Sequence, residues 1–179
     1  MKKIVITYGL IAGVILGAMF FVTAPLFDKG IVNFDNGMLI GYTTMVVALS
    51  LVFFGVKSYR DNQQNGAITF GKGFQVGILI TLLASFCYAL SWEVAYNTVS
   101  KGYSEEFTKH YVEKVKKEGK PETEVNTAIK EMEEFKAVYE NPFIRFAMTL
   151  MEILPVGLII TFISAALLRR KEFLPTARS

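Results

Sequence analysis

The stretch "FAMTLMEILPVGLIITFISAALL", residues 146–168, carries one ionisable side chain, Glu152, in an otherwise uncharged run. A soluble helix shows an apolar stripe with a polar face opposite. A helix that is apolar all round for roughly 20 residues is long enough, at 1.5 Å per residue, to cross the ~30 Å hydrocarbon layer of a bilayer. A charged group near the centre of such a span costs roughly 2.5 to 3.5 kcal/mol, and each Leu, Ile, Phe or Val returns about 0.3 to 0.6. The apolar residues around Glu152 outweigh it, so the acid does not exclude a span. It does require a partner or a proton.

Three further stretches read the same way. Residues 4–27 form a long apolar block behind Lys2 and Lys3. A cleaved signal peptide is disfavoured there, because its apolar core is shorter and "FFVTAP" puts Pro25 at the junction. Residues 38–56 form the second block, between the polar turn "DKGIVNFDN" and "KSYR", and residues 74–96 the third, ending in the interfacial aromatics Trp92 and Tyr96. The fourth runs over 143–168 after Asn141-Pro142. The chain of 179 residues, 52% hydrophobic and 20% charged, is therefore read as an all-α integral membrane protein with four transmembrane helices in a single membrane domain.

Lys and Arg in the short flanks set the expected orientation. Lys2, Lys3, Lys57, Arg60, Lys72, Arg169, Arg170, Lys171 and Arg178 fall on one side, against Lys29 in the first loop of the other. Both termini are expected in the cytoplasm, and residues 97–141 outside it. That segment holds eight lysines against ten glutamates, which leaves it two units negative. It reads as an αα-hairpin inserted between the third and fourth spans. Ser104 is the expected N-cap of its first helix, whose stripe is Phe107, Tyr111 and Val115, and Gly119 is the stop. The second runs from near Pro121 to Glu140 with Val125, Ile129, Met132, Phe135 and Val138 or Tyr139 on one side.

Three stretches together, "ITFGKGFQVG", "EMEEFKAVYENP" and "MEILPVGLIITFISAALLRRK", give the chain a resemblance over nearly its whole length to the bacterial membrane proteins grouped as domain of unknown function 4199. The resemblance implies a four-span protein of the bacterial inner membrane. It carries no catalytic residue onto Glu152 or any other position.

Depth suggests a partner for the acid. Glu152 lies nine residues below Phe143 and Tyr88 eight below Tyr96, about 12 to 14 Å in each case. Thr81, Ser85, Tyr88 and Trp92 share a face of the third span. Tyr88 or Ser85 is therefore predicted to hydrogen-bond Glu152, with Thr43 and Thr44 as second choices. Pro155 removes a backbone donor beside this cluster and predicts a kink. Glu93 and Arg145, near the outer boundary, either pair or snorkel separately into headgroups. Gly9, Gly13 and Gly17 form a small-residue ridge in the first span, and Gly73 and Gly77 repeat the spacing in the third; such ridges are packing seams, expected here within the bundle.

The remaining motifs are mostly absent ones. A net charge of +3 and a pI near 8.9 are too mild for a nucleic-acid partner. Cys87 is the one cysteine, so no intrachain disulfide forms. One histidine, His110, reads as a solvated helix residue, and no metal motif, serine elbow, phosphate loop or dinucleotide fingerprint appears. No cofactor is implied. The leading reading is a non-enzymatic interaction or scaffolding protein of the bacterial inner membrane, with an envelope protein as a possible partner through 97–141. The alternative is a small proton-linked carrier or channel subunit using Glu152. Oligomeric state, substrate and the partner's identity are open at this level.

Overall fold

A computed structural model describes residues 1–170 and 173–174. Lys171 and Arg178, counted in the charge bias, lie outside the described residues. Six helices follow in order: α1 (Lys2–Asp28), α2 (Phe34–Gln63), α3 (Phe70–Asn97), α4 (Tyr103–Lys117), α5 (Glu122–Tyr139) and α6 (Pro142–Leu168). Among the described residues there is no strand. Helices α1, α2, α3 and α6 are each long and apolar enough to cross a membrane. Their outward faces stay apolar, with Val14, Leu39, Val47 and Ile159 each more than 60% exposed. Apolar residues both inside and outside suit a bundle whose solvent is lipid.

The helices outrun the apolar blocks because their ends are capped by polar residues. The Asn33 side chain accepts from the amides of Asp35 and Asn36, and Asn36 returns a bond to the Asn33 amide. At the far end of α2, about two extra turns continue past the apolar block and carry the Lys57–Asp61 pair, 2.6 Å apart. Thr69 caps α3 and Asn141 caps α6, where Pro142 takes the first helical turn, in which a backbone donor is not needed.

Helix α3 is central. It packs along α1 on one side and α6 on the other, while α2 touches all three. Both seams are built on missing side chains. A Cβ on Gly9 would come within 2.8 Å of Leu83, and one on Gly13 within 2.5 Å of the Cβ of Cys87, while Gly17 lies against Ser91. The ridge on α1 thus meets every fourth residue of α3. On the other side Gly73 sits against Ala165, Gly77 against Thr161, and Thr81 against Gly157. Each step of four along α3 is matched by a step of four back along α6, so the two helices hold one antiparallel register.

Helices α4 and α5 lie at the end opposite the start of α1 and the end of α6. Gly119, at φ +70°, ends the turn after α4. The two helices meet through Phe107 and Phe135 and through a surface pair, Lys136 and Glu105. The N-cap of α4 is Gly102, not Ser104; the Ser104 hydroxyl instead meets Tyr96 at 3.1 Å. Tyr139 is buried and Val138 exposed, so the α5 stripe takes the tyrosine. Tyr111 is 39% exposed and adds little to its stripe. His110 is half-buried at the docking contact with α2, its ring beside Phe34 and its Nε2 3.4 Å from Asp35.

Candidate functional site

Two features stand out where α4 and α5 meet the spans. The first is a polar knot around Arg145, which is 3% exposed. Its Nε donates to Glu93 Oε1 at 2.9 Å and its Nη2 to Oε2 at 2.6 Å, a bidentate pair between α6 and α3. Its Nη1 donates to the carbonyl of Tyr139 at 3.0 Å, placing a cation at the C-terminal end of α5. The guanidinium also lies 3.8 Å from the centre of the Tyr96 ring. Beside it the Trp92 indole N–H donates to the Tyr139 hydroxyl at 2.8 Å. Side chains of α3, α5 and α6 therefore close on one another here, and Tyr96 adds α4 through Ser104.

The second is a cavity of about 360 Å³ beneath α4. Its walls include Phe20, Tyr42, Tyr88, Trp92, Tyr103 and Tyr139, and Glu152 faces it with Thr149. Asp28, Lys101 and Glu106 supply charge at its margin, all three exposed. A smaller adjoining space shares Tyr103, Phe107, Tyr139, Thr149 and Glu152. Burial pushes the Tyr103 phenol up to about 12, and the charge of Glu152 adds to the shift. Burial, then the neighbouring Tyr103, raises Tyr139 as well.

The expected hydrogen bond between Glu152 and Tyr88 or Ser85 is not formed, and the register explains why. The α6 residues facing α3 are Arg145, Thr149, Ile153, Gly157, Thr161 and Ala165, all buried. Ile153 therefore occupies the place opposite Ser85. Glu152 is one residue earlier, about 100° round the helix, and is exposed to the cavity instead. Ser85 Oγ is buried with no partner among the described residues. Tyr88 shares the cavity wall with Glu152, but its ring packs on Phe20 of α1, centroids 4.9 Å apart. Thr44 donates to its own helix at Ile40, and Thr43 is exposed. Pro155 is exposed and lines neither space, and α6 runs through it as one helix. Polar contacts do cross this seam lower down, where the Thr81 hydroxyl lies 3.0 Å from that of Thr161 and 3.4 Å from the Gly157 carbonyl.

Reading residues alone missed the contribution of α4 and α5 to this site. Tyr139 was legible only as one choice for the stripe of its helix, and Tyr103, four residues before Phe107, was not read at all. Thr149, four before Ile153, carried a spacing signal for the α6 face. Among the described residues no three metal-ligating side chains come together.

An all-helical bundle with four membrane-crossing helices and a pair of amphipathic helices closing one end defines the class: a multi-span α-helical membrane protein. The chain belongs to the family described as Protein of unknown function (DUF4199), whose model matches residues 7–170. No curated protein and no solved structure matches it.

Proposed function

We propose that the protein is a non-enzymatic interaction protein of the bacterial inner membrane, with both termini in the cytoplasm and α4–α5 as an extracytoplasmic helical hairpin that displays its charged faces to an envelope partner. One observation carries this reading. The Arg145 knot fastens the end of α5 to two spans, while Glu113, Lys117, Glu131 and Glu134 remain exposed. A floppy connector needs no such fastening; a rigid display does.

The charge bias supports this orientation, even with Arg60 buried. That residue is fully buried and bonded to Asp61, which leaves Lys2, Lys3, Lys57, Lys72, Arg169 and Arg170 at the same end. The proton-carrier reading is weaker, because Glu152 turns away from the hydroxyls of Ser85, Thr81 and Thr161 that would have to continue its path. Leu49, Val52 and Ile80 are without exposed surface and fill the bundle below.

The test uses the full chain in cells. With Cys87 replaced by serine, Lys117→Cys is expected to react with a membrane-impermeant maleimide in intact cells, and Ser58→Cys only after permeabilisation. A photocrosslinking residue at 113, 117 or 131 is expected to yield the same envelope-protein adduct from neighbouring positions. Labelling at 58 alone, or adducts only with lipid at every position, refutes the reading.

A further inference from the structure

The cavity beside Glu152 has chemistry of its own, independent of whether α4–α5 meet a protein. Glu152 lies about 15 Å along α6 from Pro142. No side chain or backbone group among the described residues hydrogen-bonds its carboxyl group. A carboxylate at that depth needs a counter-charge. Arg145, seven residues earlier on the same helix, is already engaged by Glu93, the Tyr139 carbonyl and the Tyr96 ring.

The surroundings select the kind of ligand that could supply that charge. The walls are rich in aromatic rings, whose faces attract organic cations. Three carboxylates, Asp28, Glu106 and Glu152, face one ammonium, Lys101, so an anion is disfavoured. A hard divalent ion needs several converging oxygens, and only Glu152 supplies a carboxylate at the floor. A volume of about 360 Å³ is at the small end of ligand cavities, enough for a small molecule or a headgroup and too little for a whole phospholipid.

We propose that this cavity binds the ammonium group of an organic amine, with Glu152 as counter-charge and the rings of Tyr88, Trp92 and Tyr103 as its walls. The group comes either on a free small amine or on the headgroup of an aminophospholipid, and both present the same chemistry to Glu152.

Trp92 is the only tryptophan and lines the cavity, so its fluorescence reports occupancy directly. The full chain in neutral maltoside micelles is titrated with hexylammonium, hexanol and hexanoate. A saturable change with the cation is expected, with the neutral and anionic probes weaker by at least about tenfold, as loss of one charge-assisted contact implies. Glu152→Gln is expected to weaken the cation by a similar factor and to leave hexanol unchanged. Adding phosphatidylethanolamine separates the sources. Competition with the probe supports the headgroup, and unchanged affinity supports a free amine. Equal binding of hexanol and the cation by the wild-type chain overturns the proposal, as does a folded Glu152→Gln variant that binds the cation as tightly as wild type. The wild-type comparison decides the matter even if the variant does not fold. Failure here leaves the envelope-partner reading untouched, since that one is read by labelling and crosslinking on the outer faces of α4 and α5.

Discussion

Replacing Arg145 by alanine is expected to destabilise the bundle by about 3 kcal/mol, at the lower end of the 3 to 5 kcal/mol typical when one member of a buried ion pair is removed. The substitution deletes both donors to Glu93, the donor to the Tyr139 carbonyl and the contact over Tyr96. The lower end applies because the Glu93 side chain, 19% exposed, regains some hydration once abandoned. Glu93→Ala is expected to cost at least as much, since the guanidinium it strands is 4% exposed. Arg145→Lys keeps the charge but loses the fork, at about 1 to 2 kcal/mol. The double variant Glu93→Ala/Arg145→Ala is expected to be more stable than the two single losses predict, with a coupling of about 2 kcal/mol. Equilibrium unfolding in mixed micelles measures all four, with fluorescence of the adjacent Trp92 as the probe. Losses that add to within about 0.5 kcal/mol, the usual tolerance for independent sites, would mean that the two side chains reach for water separately, and the knot would then hold nothing together.

Three other changes test the packing, the buried arginine and the titration. Gly13→Ala places a Cβ 2.5 Å from that of Cys87, so the α1–α3 seam must open, at about 1 to 3 kcal/mol. Gly71→Ala meets nothing within 4 Å and is expected to be neutral or to gain up to about 1 kcal/mol; equal melting of the two variants contradicts the seam. Arg60 donates to the carbonyls of Phe173 and Leu174 at 2.8 and 2.6 Å, so Arg60→Ala is expected to raise amide hydrogen exchange around Phe173 while α4 and α5 keep theirs, and unchanged exchange there refutes the clamp. The Tyr103 phenol, held near 12 against an ordinary 10, favours the folded state fully below pH 10. Above pH 10 the unfolded chain loses that proton first, so stability falls between pH 10 and 12. Ultraviolet titration is expected to show a phenol ionising near pH 12 that disappears in Tyr103→Phe; the same titration curve in the variant argues against its burial.

The membrane-crossing helices were legible because hydrocarbon demands long apolar runs, and that demand is local in sequence. Their true ends were less legible. The asparagine cap at 33–36 and the Lys57–Asp61 pair extend α2 beyond its apolar core by polar means that hydropathy does not register. Depth along a helix was also readable, since a fixed rise per residue placed Tyr88 and Glu152 at one level, and they do share a cavity wall. Azimuth was not readable from the acid alone. The facing side of α6 is set by the five residues Thr149, Ile153, Gly157, Thr161 and Ala165, spaced four apart, and that series gains meaning only when set against Gly73, Gly77 and Thr81 on α3. One residue of rotation decides whether Glu152 joins two helices or faces a cavity.

That rotation also explains why the bundle differs between its two ends. Along the α3–α6 seam small residues meet small residues from Gly73 to Gly157, and backbones approach closely enough to leave no space. Beyond that level the small residues on α3 give way to Tyr88, Trp92 and Tyr96, and the rings of Tyr103 and Tyr139 come in from α4 and α5. Large rings cannot interdigitate at the spacing glycine permits, so the helices must diverge or leave a void between them. The cavity opens at that level, walled also by Phe20 and Phe27 of α1 and by Phe34 and Tyr42 of α2, and at the same end the Arg145–Glu93 pair continues the antiparallel register of α3 and α6. An acid placed on the seam would have been a staple. Placed one step off it, at the level where the packing opens, the acid is left for something other than the bundle to neutralise.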